Sequence, residues 1–188
     1  DYALQVPMYF VKRGDTYHDV AGADFRALLD GRLPQLPGEH ATLSDWANHL
    51  STIFPEVRLK RFLEMRGADA GSVDHMSAMS AFFVGLLYDQ NALDAAYDLI
   101  KGWSAAERQA LRDAVPVQGL SAKIAGRSLQ EIGRDVMAIS RSGLARRARK
   151  DAAGSDETRH LAILDQRIET GKGAAEELIA HYKGDWDG

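Results

Sequence analysis

The sequence predicts an α+β fold, with strands in the first part of the chain and helices after them. Its 188 residues are 45% hydrophobic and 27% charged, the composition of a globular chain that is long enough to bury a core. Residues 1–69 contain aromatic and alternating runs, whereas residues 70–188 carry apolar side chains at helical spacing. Because the two patterns are segregated along the chain, they favour an α+β arrangement over repeated βαβ units.

A hairpin and a short helix are predicted at the start of the chain. Residues 2–11 and 16–20 are rich in aromatic and β-branched side chains, and Arg13, Gly14 and Asp15 between them are turn residues. Pro7 restricts the first of these strands to an edge or a bulge, because proline has no N–H to donate. A short helix is predicted over residues 23–29.

Helices are predicted over much of the remaining chain. One begins after Ser44, a good N-cap, and ends at Pro55. Ser104 and Glu107 have the spacing of a capping box, and Gly171 and Gly184 are suitable helix stops. The later helices are predicted at residues 76–88, 92–102, 105–114, 129–150, 157–169 and 174–183.

The charge balance and the absence of cysteine exclude several classes of protein. Asp and Glu number 27 against 23 Lys and Arg, so the formal net charge is −4, and we expect no nucleic-acid partner. Without cysteine the chain has no disulfide, Cys-based zinc site or Cys nucleophile, which suits a reducing compartment and predicts a cytoplasmic location. The longest apolar run, near residues 81–87, is far shorter than the roughly 20 residues of a membrane span, so no membrane partner is expected.

Residues 56–66 are predicted to form one long strand with two different faces. Alternation places Val57, Leu59, Arg61, Leu63 and Met65 on a mainly apolar face, which we expect to belong to a core. The opposite face carries Glu56, Arg58, Lys60, Phe62, Glu64 and Arg66. Such a charged face is either a solvated surface with cross-strand ion pairs or the wall of a cavity that binds a charged ligand with metal ions.

Glu64 and Arg66 favour the cavity interpretation. They are two residues apart on one predicted strand and therefore share a face, and the small residues Gly67 and Ala68 after them allow a ligand to approach closely. A carboxylate suits Mg²⁺, and a guanidinium can bind a carboxylate or phosphate through two hydrogen bonds. This combination suits phosphoryl transfer to a carboxylate, although neither residue alone is specific for it.

Four stretches of sequence carry a resemblance to a known family. They are DYAL…VPMYFV at the start, LPQLPGE at 33–39, DWANHLSTIFPEVRLKRFLEMRGAD at 45–69 and FFVGLLYD at 82–89. In this order they resemble the glutamate–cysteine ligases of plants and alphaproteobacteria. The similarity extends over most of the chain and is strongest over residues 1–89.

The resemblance implies an ATP- and Mg²⁺-dependent ligase that joins glutamate to cysteine, the first step of glutathione synthesis. ATP would phosphorylate the γ-carboxylate of glutamate, and the amine of cysteine would attack the acyl phosphate. The implied fold is an antiparallel sheet curved into a funnel, like that of glutamine synthetase, followed by a mainly helical layer. ATP use follows from the resemblance alone, because the chain has no phosphate-binding loop motif.

The resemblance also assigns roles to five residues. An E-x-R pair in this superfamily supplies a metal-binding carboxylate and a substrate or phosphate arginine, so Glu64 is predicted as the metal ligand and Arg66 as the catalytic residue. Tyr2 is expected by position at the amino-acid pocket. Arg58 and Lys60 share the charged face and are predicted to bind substrate.

The chain also departs from the family pattern. Family members are more than twice as long, and this chain opens in a predicted strand. Residues 1–188 are therefore predicted to be a C-terminal portion of a larger catalytic domain, inactive alone, with the N-terminal half of the enzyme as its partner. Residues 70–76 differ from the sequence GGPWRR that is usual in the family. Because of this difference, a related ligase that uses another amine acceptor remains an alternative function. Without cysteine, the regulatory disulfides of the plant enzymes are excluded.

A basic cluster near the end of the longest predicted helix indicates an alternative function. Its members are Arg141, Arg146, Arg147, Arg149 and Lys150. They could bind an acidic partner, which would make the chain a non-catalytic interaction module, or they could be a solvated helix end whose charge complements the helix dipole. No two of the six histidines have the spacing of a helical metal pair, so none is predicted to bind metal.

Overall fold

The structure, a computed structural model, describes residues 1–186 and confirms the α+β class. It divides into two compact units, Asp1–Ala68 (unit 1) and Asp69–Gly188 (unit 2), and residues 187 and 188 of the predicted helical part lie outside the described residues. Unit 1 contains α1 (Tyr2–Gln5), β1 (Phe10–Arg13), β2 (Thr16–Asp19), α2 (Phe25–Leu29), α3 (Leu43–Ser51), β3 (Val57–Leu59) and β4 (Leu63–Met65). Unit 2 contains α4 (Val73–Leu87), α5 (Gln90–Ile100), α6 (Ala105–Gln118), β5 (Lys123–Ile124), β6 (Arg127–Ser128), α7 (Leu129–Arg147), α8 (Ala162–Thr170) and α9 (Ala174–His181). Within residues 1–186 the strands pair as three two-stranded antiparallel sheets, β1–β2, β3–β4 and β5–β6.

The first predicted strand is only partly a strand. The prediction over residues 2–11 is wrong at its start, where α1 forms, and β1 begins only at Phe10. Pro7 separates the two elements, because the residue before a proline is sterically disfavoured in a helix, and Val6 accordingly has extended angles of φ −71° and ψ 128°. The hairpin itself is confirmed, with Phe10 opposite Asp19 in the β1–β2 register.

Unit 1 has one apolar core. Its buried members are Met8, Val11, Val20, Phe25, Leu28, Leu33 and Leu36. Helix α3 contacts this core through two rings, since Trp46 and His49 lie with ring centroids 5.1 and 4.8 Å from that of Phe25. The core therefore fixes α3 against α2 through aromatic contacts.

Helix α3 begins and ends earlier than predicted. Its N-cap is Thr42 and not Ser44: the Thr42 hydroxyl oxygen accepts from the Asp45 N–H at 3.2 Å, and an Asp45 carboxylate oxygen accepts from the Thr42 N–H at 2.8 Å. This capping box satisfies two N–H groups that the first helical turn leaves unpaired. The helix ends at Ser51, before it reaches Pro55.

The predicted long strand over residues 56–66 is a hairpin. Strands β3 and β4 pair antiparallel with Arg58 directly opposite Glu64, and residues 60–62 connect them. The prediction was wrong because this loop contains none of the usual turn residues Gly, Pro, Asn or Asp, so the alternation continues through it. For the paired residues the predicted faces survive, since directly opposite residues in an antiparallel pair project to the same side of the sheet.

The apolar face of this segment, predicted to belong to a core, is not buried within unit 1. Leu59 is 80% exposed, Leu63 59% and Val57 46%. Within residues 1–68 no third strand pairs with β3 or β4. The hairpin therefore presents its apolar side chains uncovered by unit 1.

In unit 2, helices α4 and α7 cross at very short distance. A Cβ atom on Gly143 would lie 1.9 Å from the carbonyl oxygen of Gly85, and one on Gly85 would lie 2.4 Å from that of Ser140. The buried Ser140 hydroxyl donates to the carbonyl oxygen of Phe82 at 2.9 Å. Only glycine at the two crossing positions allows the backbones to approach this closely.

The helices predicted for unit 2 are confirmed, with displaced ends. Helix α4 begins at Val73 instead of residue 76, and α7 ends at Arg147 instead of residue 150. A 3-10 turn over Glu157–Leu161 precedes α8, where one continuous helix was predicted. None of the helices within residues 1–186 is long and apolar enough to cross a membrane.

The β5–β6 hairpin was not predicted. Its turn residues Ala125 and Gly126 both have positive φ, at +49° and +79°. This is the backbone of a tight hairpin turn, for which Asn-Gly or Asp-Gly is the usual sequence. An alanine at the first position gives no signal of such a turn.

Candidate active site

A carboxylate lies between two guanidinium groups on the β3–β4 hairpin. Glu64 Oε2 accepts hydrogen bonds from Arg58 Nε at 2.7 Å and from Arg66 Nη1 at 3.4 Å. The register explains the first contact, because Arg58 and Glu64 are directly opposite. The second joins residues two positions apart, whose side chains share a face of the sheet. These three residues are termed the hairpin charge cluster below.

The cluster is positively charged overall, and its carboxylate is ionised. The hydrogen bond from Arg58 lowers the pKa of Glu64, partial burial opposes this, and the charges of Arg58 and Arg66 lower the pKa further. The side chains of Arg58, Glu64 and Arg66 are 25%, 32% and 27% exposed, so a ligand can reach them. Each guanidinium uses only part of its five N–H donors in these contacts, which leaves donors for an anion.

Arg66 has two further contacts that hold it in place. Its guanidinium carbon lies 5.6 Å from the centroid of the Phe54 ring, a cation–π arrangement. Its backbone N–H donates to the carbonyl oxygen of Glu56 at 2.8 Å, which extends the pairing of the two strands. No sequence signal identifies Phe54 as a partner of Arg66, because the contact depends on the chain folding back at residues 60–62.

Lys60 and Tyr2 do not take part in the hydrogen bonds of the cluster. Lys60 is in the loop between β3 and β4, where its backbone N–H donates to the carbonyl oxygen of Phe62 at 2.9 Å. Tyr2 is on α1 and is 63% exposed. Among the described residues, no hydrogen bond or ion pair links either side chain to the cluster. Of the five predicted site residues, the structure therefore brings together Arg58, Glu64 and Arg66.

Glu64 can supply one oxygen ligand to a divalent cation. Within the described part of the chain, no three His, Cys, Asp or Glu side chains are grouped to hold a metal ion. Mg²⁺ keeps several waters and is usually bound by one or two protein carboxylates together with substrate phosphates. The single carboxylate of the cluster therefore fits Mg²⁺ as one ligand among several from other sources.

The basic residues at the end of α7 are largely paired inside unit 2. Arg146 makes a bidentate contact with Asp89, the N-cap of α5, at 2.6 and 2.9 Å. Arg147 pairs with Glu157 at 3.1 Å, and Arg141 pairs with a carboxylate of α8. Three of the five cations thus already have carboxylate partners, which disfavours this helix end as a docking site for an acidic protein.

The sequence profile of the glutamate-cysteine ligase family 2 matches residues 1–188. The chain belongs to this family. The match includes the hairpin charge cluster and every helix of unit 2, and it confirms the resemblance predicted from the sequence motifs.

Curated plant members of the family are similar to the chain over nearly all its length. It is 48% identical over 186 residues to the chloroplastic glutamate–cysteine ligase of Arabidopsis thaliana, and 46% identical to those of Solanum lycopersicum and of Oryza sativa subsp. indica (ligase A). These alignments cover 99% of this chain but only 34%, 34% and 37% of the relatives. The chain therefore spans about a third of the length of the curated relatives it matches.

The names of these relatives correct the predicted location. All three are chloroplastic enzymes, which overturns the prediction of a cytoplasmic protein. That prediction was based on the absence of cysteine. Because a chain without cysteine cannot form disulfides in any compartment, this absence does not select the cytoplasm.

Proposed function

We propose that the full-length protein is a glutamate–cysteine ligase and that this chain contributes the hairpin charge cluster to its active site. The observation that carries the proposal is the convergence of Arg58 and Arg66 on the ionised carboxylate of Glu64. The hairpin lies within the segment that most resembles the family. Family membership and the names of the relatives support the reaction class.

The proposed reaction has two steps whose charges suit the cluster. The γ-carboxylate of glutamate attacks the terminal phosphorus of ATP, the bond to the bridging oxygen breaks, and ADP leaves. The amine of cysteine then attacks the acyl carbon, the C–O bond to the phosphate breaks, and phosphate and a proton are released. Negative charge collects on phosphoryl oxygens in both steps, so guanidinium donors that are already in place lower the barriers.

Each member of the cluster has a distinct proposed role. Arg66, held by Glu64 and the Phe54 ring, donates to phosphoryl oxygens, and Arg58 binds substrate oxygens with its remaining donors. Glu64 would supply one ligand to Mg²⁺, and the bound ion would neutralise phosphate charge. Lys60 is proposed to bind substrate from the hairpin loop, and Tyr2 to bind an amino-acid substrate from α1.

The exposed apolar face of the hairpin supports its place in a larger sheet. An isolated two-stranded sheet is marginally stable in water, and both of its edges leave backbone groups unpaired. Leu59 and Leu63 are largely exposed on this sheet. We propose that β3–β4 joins the funnel-shaped sheet that the resemblance implies. The remaining strands would come from the part of the relatives that this chain does not span, with residues 1–188 as a C-terminal portion.

The substitutions Glu64→Ala and Arg66→Ala in the full-length protein test the roles of the cluster. We expect each to lower kcat for ATP-dependent γ-glutamylcysteine formation by on the order of 100-fold or more, as loss of a preorganised charge does. Arg149→Ala is the matched control, because Arg149 is an exposed arginine without an ion pair among the described residues.

Near-normal turnover in both variants would refute the assigned roles. The same assay, run with cysteine and with other small amines, tests the acceptor. Product formation only with an amine other than cysteine would identify the protein as a related ligase.

A further inference from the structure

Helix α1 ends with two carbonyl groups that its own backbone does not satisfy. In an α-helix the Ala3 carbonyl would accept from the N–H four residues later, but that residue is Pro7, which has none. The Ala3 oxygen is instead 2.7 Å from Nε2 of His49 on α3. The Leu4 oxygen accepts from Nη1 of Arg26 on α2 at 3.0 Å. Two side chains of unit 1 therefore replace the missing helical donors.

His49 is buried in unit 1 with its ring set for this contact. It is 5% exposed, and its ring stacks on Phe25 with a centroid distance of 4.8 Å and an interplanar angle of 22°. Nε2 carries the proton, because the Ala3 carbonyl can only accept. Nδ1 is buried and has no hydrogen-bond partner among the described residues. A phenylalanine could stack on Phe25 without leaving such an atom, so packing alone does not account for an imidazole here.

The segment that His49 holds carries Tyr2. A helix of four residues is not stable by itself, so contacts with the rest of unit 1 determine the orientation of α1. Leu4 packs against the apolar core, whereas Tyr2 on the same short helix is 63% exposed. The hydrogen bonds from His49 and Arg26 therefore fix the direction in which the Tyr2 side chain leaves the unit.

We infer that His49 is a positioning residue for Tyr2 and thereby for the binding of an amino-acid substrate. The inference rests on the proposed function, in which Tyr2 contacts that substrate. The contact by which His49 reaches the Tyr2 segment is its hydrogen bond to the Ala3 carbonyl, one residue from Tyr2. Loss of the Nε2 donor therefore weakens binding of glutamate or cysteine and leaves binding of ATP unchanged.

Two substitutions in the full-length protein separate the hydrogen bond from the ring. His49→Phe keeps an aromatic ring against Phe25 and removes the donor, whereas His49→Gln keeps an N–H donor. We expect His49→Phe to raise KM for glutamate or cysteine by about tenfold, the effect of one lost hydrogen bond, with KM for ATP within about twofold. His49→Gln recovers most of this loss. Arg26→Met removes the second hydrogen bond to α1, the one to the Leu4 carbonyl, and Arg26 is not part of the apolar core. We expect the same changes in KM from Arg26→Met, so this variant tests the inference even if His49→Phe fails to fold.

Tyr2→Ala distinguishes failure of this inference from failure of the proposed function. If Tyr2→Ala raises an amino-acid KM and neither His49→Phe nor Arg26→Met does, the positioning role is overturned and the role of Tyr2 stands. If Tyr2→Ala changes neither amino-acid KM, the role of Tyr2 falls, and the inference falls with it.

The double variant of Tyr2→Ala with His49→Phe adds a further check. We expect no rise in KM beyond that of Tyr2→Ala alone, because His49 acts through Tyr2. His49 would be a purely structural residue if His49→Phe raised the KM values for ATP, glutamate and cysteine equally. The same would follow if His49→Phe lowered the melting temperature and left all three KM values unchanged. Either result would overturn the inference.

Discussion

The β3–β4 hairpin of unit 1 and the α4–α7 region of unit 2 differ in whether their charged and apolar side chains find partners within their own unit. In unit 2, Arg146 is paired in two hydrogen bonds with Asp89, and α4 and α7 touch backbone to backbone at Gly143. In unit 1, Leu59 is 80% exposed, and the arginines of the hairpin charge cluster keep donors available. The residues suited to ligand binding thus lie on the β3–β4 hairpin, whereas the residues of unit 2 named here are occupied by contacts within that unit.

The largest effect on stability is expected at the crossing of α4 and α7. Gly143→Ala would place a Cβ atom 1.9 Å from a backbone oxygen, so the helices must separate. We expect the free energy of unfolding to fall by about 3 kcal/mol, measured by urea denaturation. Gly133→Ala in the same helix is the control, because its Cβ meets only the movable Ile168 side chain, and a loss of about 1 kcal/mol or less is expected. Equal losses would show that the crossing is not tightly packed.

A smaller effect is expected on the exposed face of the β3–β4 hairpin. If further strands of the full-length protein cover this face, Leu59→Ser removes a buried leucine and lowers the free energy of unfolding by about 2 kcal/mol. Leu43→Ser on α3 is the control, since Leu43 is 88% exposed and a change within about 0.5 kcal/mol is expected. A negligible effect of Leu59→Ser would contradict the proposed larger sheet.

The smallest effect is a pH dependence in unit 2. The hydrogen bonds from Arg146 and from the Ala92 N–H lower the pKa of Asp89 from 3.8 to about 2. A carboxyl group whose pKa is lowered by folding stabilises the native state fully above its unfolded pKa and loses that contribution as the pH falls towards its native pKa. We expect Asp89→Asn to lower the melting temperature above about pH 4, with the difference from the parent closing near pH 2. A difference that stays constant over this range would assign the effect to the N-cap geometry and not to the charge.

The helices and the charged face could be predicted because their signals are local. Periodicity and N-caps identify the helices of unit 2, and the capping box of Ser104 and Glu107 forms as predicted. Glu64 and Arg66 share a face whether the segment is one strand or the second half of a hairpin, since both lie on the same stretch of backbone. Local pattern was therefore sufficient for the core of the candidate site.

The remaining features depend on contacts between distant residues or on unusual turns. The loop at residues 60–62 contains no residue that normally marks a turn, and the Ala125-Gly126 turn has alanine where Asn or Asp usually precedes the glycine, so neither hairpin was predicted. The contact of His49 with Ala3 joins residues far apart in sequence, and only the fold brings them together. The exposure of Leu59 has a similar origin, because alternation shows which side chains share a face but not whether another layer covers it.

The most direct test of the difference between the units compares Arg66→Ala with Arg146→Ala in the full-length protein. For each variant, kcat for γ-glutamylcysteine formation and the melting temperature are measured together. We expect Arg66→Ala to lose on the order of 100-fold in kcat with little change in melting temperature, and Arg146→Ala to lower the melting temperature with kcat within about threefold. Full turnover in Arg66→Ala, or an equal loss of turnover in Arg146→Ala, would contradict the assignment of catalysis to the hairpin charge cluster.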